Sequence, residues 1–172
     1  MLGQLHQRLD RMLCRVEGLA LVIAGVAIVA AMLLVSADAL LRYIFAAPLA
    51  FQLHVSEFYL LPASLTMALA WGYRTGGAIQ IEFLIQVLPD RLVNPLTRIG
   101  LAAASAYMAY IAWRGWLVFA KAFARNEVVM GVVDWPVSLS WVWIPLGCGL
   151  LALRLLMDAV APTLRRLGMA HE

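Results

Sequence analysis

The chain has 172 residues, of which 64% are hydrophobic and only 13% charged, far below the roughly 25% charged share of soluble domains. That composition excludes an ordinary soluble domain and indicates an integral membrane protein. The net charge of +3 forms no basic patch, so no nucleic-acid partner is expected, and Cys14 and Cys148 have neither CxxC nor zinc spacing.

A bilayer core of about 30 Å needs roughly 20 helical residues to cross it. Residues 18–35 contain no charged or strongly polar side chain, and the run continues past one Asp to about 41, which predicts a first transmembrane helix over 18–41. A cleaved signal peptide would be shorter, nearer the start and followed by a small-residue cleavage site, so this helix is expected to remain. Further spans are predicted over 51–71, 96–119 and 136–157. Pro48, Pro95 and Pro136 sit at or just before their starts, where a missing N–H needs no partner.

Between the second and third spans, residues 79–88 are too short to cross a bilayer. As a helix they put Gln80, Glu82 and Gln86 on a polar side and Ile81, Phe83, Leu84, Ile85 and Leu88 on an apolar one. This predicts an interfacial amphipathic helix, entered through Gly76 and Gly77 and stopped by Pro89. The Ile79, Ile81, Phe83 alternation also fits a strand, but an open strand does not survive at lipid depth.

Lys and Arg set the orientation. Arg8, Arg11, Arg15, Arg74, Arg91, Arg98, Arg154, Arg165 and Arg166 fall on one side, against Arg42, Lys121 and Arg125 on the other, which predicts both termini in the cytoplasm. Tyr43, Phe45, Phe51, Trp71, Tyr73, Trp113, Trp116 and Trp135 flank the spans as interfacial belts. The expected fold is therefore an all-α, single-domain membrane protein with four transmembrane helices.

Charges within the spans are the first place to look for chemistry. Asp38 and Arg42, four apart, can neutralise one another at the outer end of the first helix; Glu57, with His54 one turn earlier, and Arg114 lie at comparable depth. The spacing suggests an interhelix or intersubunit network in which Arg42 or Arg114 meets Glu57. It reads as a structural clamp more readily than as an ion path, because no carboxylate or His falls near the bilayer centre. Arg154 and Asp158 form a corresponding inner pair, with the Arg expected to snorkel. Small residues at Ala20, Ala24, Ala27 and Ala31, and at Gly100, Ala104, Ser105 and Ala109, offer packing stripes. Pro62 and Pro145 are expected to kink the second and fourth helices, with Ser64 and Thr66 near the first.

Four stretches together resemble a family. "LLRYIF", "SEFYLL", "GGAIQIEFLIQVLP" and "WPVSLSWVWIPLGCGLLALRLLMD", in this order and spacing, resemble the small DctQ-type membrane subunit of tripartite ATP-independent periplasmic (TRAP) transporters over about residues 18–158. Ala78 stands where the family often has His, and Glu57 stands alone where an acidic pair is frequent. The resemblance implies a non-enzymatic accessory subunit of the bacterial inner membrane without a cofactor. Its partners would be lipid, a large membrane subunit that imports an organic acid with sodium, and a periplasmic solute-binding protein. Lys121, Arg125, Glu127 and Asp134, in the second outer loop, would receive that binding protein or simply be solvated. The rival readings are a stand-alone four-helix transporter, which lacks the deep first-helix carboxylate expected of it, and a membrane redox subunit, for which His54 is the only intramembrane His.

Overall fold

The computed structural model describes residues 2–49, 51–76, 90–129 and 135–161. Helix α1 spans Leu2–Phe45, 44 residues, or about 66 Å at ~1.5 Å per residue. Its Ala, Leu, Val and Ile content contains no proline to interrupt the backbone ladder. It ends where Ala46 adopts φ 49°, ahead of Pro48. Asp38 Oδ1 then accepts the Leu49 N–H at 2.7 Å, satisfying a backbone donor that the finished helix cannot.

The second rod has three parts: α2 (Gln52–Val55), a π turn (Ser56–Leu60) and α3 (Leu61–Arg74). Pro62 explains the irregularity. Its ring has no N–H for the Phe58 carbonyl, and the backbone upstream widens to absorb the misfit. Ser140 Oγ donates to that freed carbonyl at 2.7 Å, while Thr66 Oγ1 donates to Pro62 O at 2.7 Å and Ser64 Oγ to Leu61 O at 2.9 Å. The expected interruption at Pro62 takes the form of this π turn, and both hydroxyl neighbours are hydrogen-bonded beside it. Gly76, at φ 87°, ends α3 in a turn that residues with a Cβ rarely adopt. The interfacial helix predicted over 79–88, with Gly77, Gln80, Glu82, Phe83 and Pro89, lies outside the described residues.

Helix α4 spans Asp90–Ala124 and exceeds the predicted 96–119 at both ends. Pro95 lies inside it rather than opening it. A proline near a helix start breaks only the bond to a carbonyl four residues earlier, here at the described beginning of the element. After Asn126, at φ 47°, β1 (Val128–Val129) pairs antiparallel with β2 (Trp135–Pro136), a short ladder that the sequence gives no sign of. The last rod divides into α5 (Val137–Trp141) and α6 (Trp143–Val160). The break at Val142 falls where Pro145 cannot donate to the Trp141 carbonyl.

Among the described residues α1 packs along α3, α3 along α6, and α6 along α4, while neither α1 nor α3 makes an extended contact with α4. The four rods therefore stand in an open row with α3 and α6 in the middle. Ala20, Ala24, Ala27 and Ala31 are all buried, as their spacing predicts. On α4 the stripe is narrower than expected: Ser105 is buried and donates to Ala152 O at 2.9 Å, whereas Gly100 and Ala109 are exposed. A close crossing joins α3 and α6, where a Cβ on Gly147 would lie 2.6 Å from Thr66 Cβ and would collide with the Thr66 carbonyl.

The row is inverted relative to a soluble protein. Small residues fill its seams, and Val22, Val26, Met32, Leu33, Leu65 and Leu153 face outward. A water-soluble fold would bury these side chains, each worth about 1.5–3 kcal/mol. In lipid no such drive exists, and close approach of small residues holds helices together. By length and composition, Arg8–Phe45 and Val137–Val160 are able to cross a membrane. The second rod is divided by its π turn, and α4 is made less apolar by Arg98, Arg114, Tyr107, Tyr110, Trp113 and Trp116.

Candidate functional site

Chain direction brings the first turns of α1 and the last turns of α3 and α6 to one end of the row, where their charges converge. Arg154 of α6 and Glu17 of α1 are both 0% exposed. Arg154 Nη1 donates to Asp10 Oδ1 at 2.9 Å and to Glu17 Oε1 at 3.5 Å, and Cys14 Sγ lies 3.9 Å away. Arg154 Nε stands 3.7 Å from Asp158 Oδ2, and Arg74 Nε stands 3.1 Å from Glu17 Oε2. Three carboxylates thus meet two guanidiniums, joining α1 to α6 directly and to α3 through Glu17. Buried charges are tolerated only when paired in this way.

Sequence spacing suggests only the Arg154–Asp158 pair, and there the expectation is corrected. Arg154 turns inward rather than snorkelling, because three carboxylates offer it more than partial hydration does. Glu17 and Asp10 carry a readable signal that the sequence reading passes over. They are seven apart with Cys14 between them, and so share a helix face. Near the same end Arg98 Nη2 donates to Ala161 O at 2.9 Å and Nη1 to Ala159 O at 3.5 Å. A cation is well placed against the orphan carbonyls that end α6.

At the opposite end, Arg42 Nη2 donates to Asp38 Oδ2 at 2.8 Å, with the Arg42 side chain 65% exposed. Glu57, on the π turn, and Arg114, on α4, are both exposed. Among the described residues no ion pair joins Glu57 to Arg42 or Arg114, so the anticipated interhelix form of that network is not made within the chain. His54 packs its ring 4.7 Å from Phe58, and Tyr59 OH donates to Pro136 O at 2.9 Å, tying the π turn to the last rod. After α4, Lys121, Arg125 and Glu127 are exposed, with Arg125 Nη1 3.8 Å from Glu127 Oε1; Asp134 lies outside the described residues.

The described helices are thus locked at one end by buried charge, with apolar faces, Glu57 and Arg114 exposed elsewhere. Compared with curated proteins and with solved structures, the chain has no significant match. Compared with family models, residues 31–165 match the one described as tripartite ATP-independent periplasmic transporters, DctQ component. The match covers most of the chain, from the middle of α1 through α6, and so the chain belongs to the DctQ family, a small subunit of TRAP transporters.

Proposed function

We propose that this subunit is a fixed scaffold for the large transport subunit, held in the bacterial inner membrane by four spans with both termini in the cytoplasm. The observation that carries the reading is the inverted open row. Its seams are sealed by alanine, glycine and serine, while one face of each middle helix keeps leucines outward, Leu61, Leu65 and Leu69 on α3 and Leu146, Leu153 and Leu156 on α6. Such exposed faces offer apolar area to lipid and to a membrane partner.

As a DctQ component the chain is a membrane part of a transporter and associates with other TRAP components. The activity proposed for the assembly is sodium-coupled uptake of an organic acid delivered by a periplasmic solute-binding protein, with selectivity and ion binding assigned to the other chains. Within the assembly, Glu57 and Arg114 supply intersubunit pairing, Asp38 and Arg42 fix the outer end of α1, and Lys121, Arg125, Glu127 and Asp134 face the binding protein. For the 79–88 segment, with Gly76, Gly77, Gln80, Glu82, Phe83 and Pro89, the proposal is the interfacial role expected from its sequence.

Reconstitution tests the role. Liposomes holding the large subunit with this chain are expected to take up solute when the binding protein and a sodium gradient are supplied. Liposomes holding the large subunit alone are expected to lose most of that uptake. Full uptake without this chain, or uptake by this chain alone, would overturn the scaffold reading.

A further inference from the structure

Helix α4 turns a set of polar side chains away from its own chain. Its packed side carries Ala104, Ser105, Met108, Ala112 and Gly115, which meet residues of α6. At about 100° per residue, Tyr107, Tyr110 and Arg114 occupy an arc of about 60° whose centre lies about 140° round the helix from that side. All three are exposed, Tyr107 to 62% and Tyr110 to 60%. Among the described residues none of the three has a hydrogen-bond or ion-pair partner. Leu96, Ile99 and Leu117 complete the same exposed face.

Depth makes this face unsuited to lipid. Tyr107 falls at the middle of the 96–119 span, with Tyr110 about 4–5 Å and Arg114 about 10 Å from it, all within the ~15 Å half-thickness of the hydrocarbon core. Tyrosine suits the membrane surface, where its ring is buried and its hydroxyl wet. At mid-depth a hydroxyl without an acceptor is unfavourable, and a guanidinium without a carboxylate more so. Helical Cβ atoms tilt toward the N-terminus, which for α4 is the inner end in the proposed topology, so the Arg114 side chain sets out toward the bilayer centre. The other edge of the row is chemically unlike this one. There α1 exposes Val22, Val26, Met32 and Leu33, and residues 18–35 hold no charged or strongly polar side chain.

We propose that the exposed edge of α4 docks the large transport subunit, a carboxylate of that subunit meeting Arg114 and hydrogen-bond acceptors meeting the Tyr107 and Tyr110 hydroxyls, while the α1 edge faces lipid. A second copy of this chain fits less well. Two α4 edges meeting symmetrically oppose Arg114 to its own equivalent, and the exposed Glu57 sits on the second rod, with the last rod between it and α4. The proposal rests on the scaffold reading and on α4 crossing the bilayer.

Its test replaces Tyr107, Tyr110, Val22 or Val26, one at a time, with the photoreactive p-benzoylphenylalanine in the full chain, co-expressed with the large subunit in bacterial membranes. Adducts formed under ultraviolet light are identified by mass spectrometry. The two α4 positions are expected to cross-link to the large subunit, and the two α1 positions to give no protein adduct. Arg114→Gln should lower the amount of large subunit recovered with this chain at least about tenfold, the scale of truncating one member of a desolvated charge pair. The unfolding midpoint of the isolated Arg114→Gln chain should stay at the wild-type value, so that lost recovery reports lost contact. Lipid adducts alone, no adduct or a dimer of this chain from the α4 positions overturns the proposal. So does cross-linking from Val22 or Val26, undiminished recovery with Arg114→Gln, or a lowered midpoint, which would give Arg114 a partner inside the chain. Failure of the wild-type chain to recover the large subunit at all defeats the scaffold reading itself, a separate result from docking at another face.

Discussion

Arg154 is the residue on which most buried charge depends. Its guanidinium neutralises carboxylates from two helices, so Arg154→Gln leaves Asp10, Glu17 and Asp158 facing one another and should destabilise the chain by about 3–5 kcal/mol. Arg74→Gln should cost far less, because the 23% exposure of the Arg74 side chain lets water take part in solvating what remains. Thermal unfolding of the full chain in a mild detergent measures both, and equal effects would show that Arg154 is not the centre of the cluster. Spacing shows that Asp10 and Glu17 share a face of α1 but not that this face meets Arg154. Asp158 is one helical turn from Arg154, whereas Asp10 and Glu17 are separated from it by most of the chain, and only folding brings α1 beside α6. At the far end of α1 the local pair Asp38–Arg42 is legible, since four residues on a helix fix the contact regardless of what surrounds it.

Glycines make a second residue-scale contrast. Gly147→Ala forces a Cβ into the Thr66 backbone and should cost about 1–3 kcal/mol by overpacking. Gly100→Ala, on an open surface of α4, should be neutral or stabilising by up to about 1 kcal/mol through helix propensity. The same unfolding experiment separates them. Similar midpoints for the two variants would argue against the close α3–α6 crossing.

Among the elements, the π turn shows how one proline is accommodated by a neighbouring helix. Pro62 withholds an N–H from Phe58 O, and Ser140 supplies an O–H in its place. Ser140→Ala should therefore cost about 1 kcal/mol in the native background. In a Pro62→Ala background, where the backbone can satisfy Phe58 O itself, it should cost almost nothing. A double-mutant cycle on unfolding midpoints reads the coupling, and additive effects would show that the hydroxyl does not answer the proline. The sequence reveals that a break belongs near Pro62 but not where the extra residue is absorbed, because that depends on Ser140 arriving from another rod. Packing stripes divide in the same way. On α1 the spacing of Ala20, Ala24, Ala27 and Ala31 singles out one face, and those four are buried. On α4, alanines at 102, 103, 104, 106, 109 and 112 surround the helix, so spacing by four fits any face, and the Ser105 hydroxyl meeting Ala152 O selects one.

For the whole molecule, the open row makes a geometric prediction. Edge helices α1 and α4 are separated by two others, so spin labels at Gly25→Cys and Tyr107→Cys should lie about 24–30 Å apart, three spacings of ~8–10 Å. A closed four-helix bundle would bring them within roughly one or two spacings. Double electron–electron resonance on the reconstituted chain distinguishes the two. The sequence foretells four apolar rods but not their order, because helix periodicity shows which face is small or oily and never which other rod will meet it. That order has a consequence for biogenesis. α1 with α3, and α4 with α6, are each neighbours along the chain as well as in space, so two helical hairpins can form as they are synthesised. The seam between them, where Gly147 meets Thr66, joins helices that run in the same direction and can close only after the final hydrophobic segment has left the ribosome. With all four rods in the bilayer, as proposed, the nascent protein would wait there as two halves, and a lesion at that seam would be felt at the last step of insertion, after both halves are already in place.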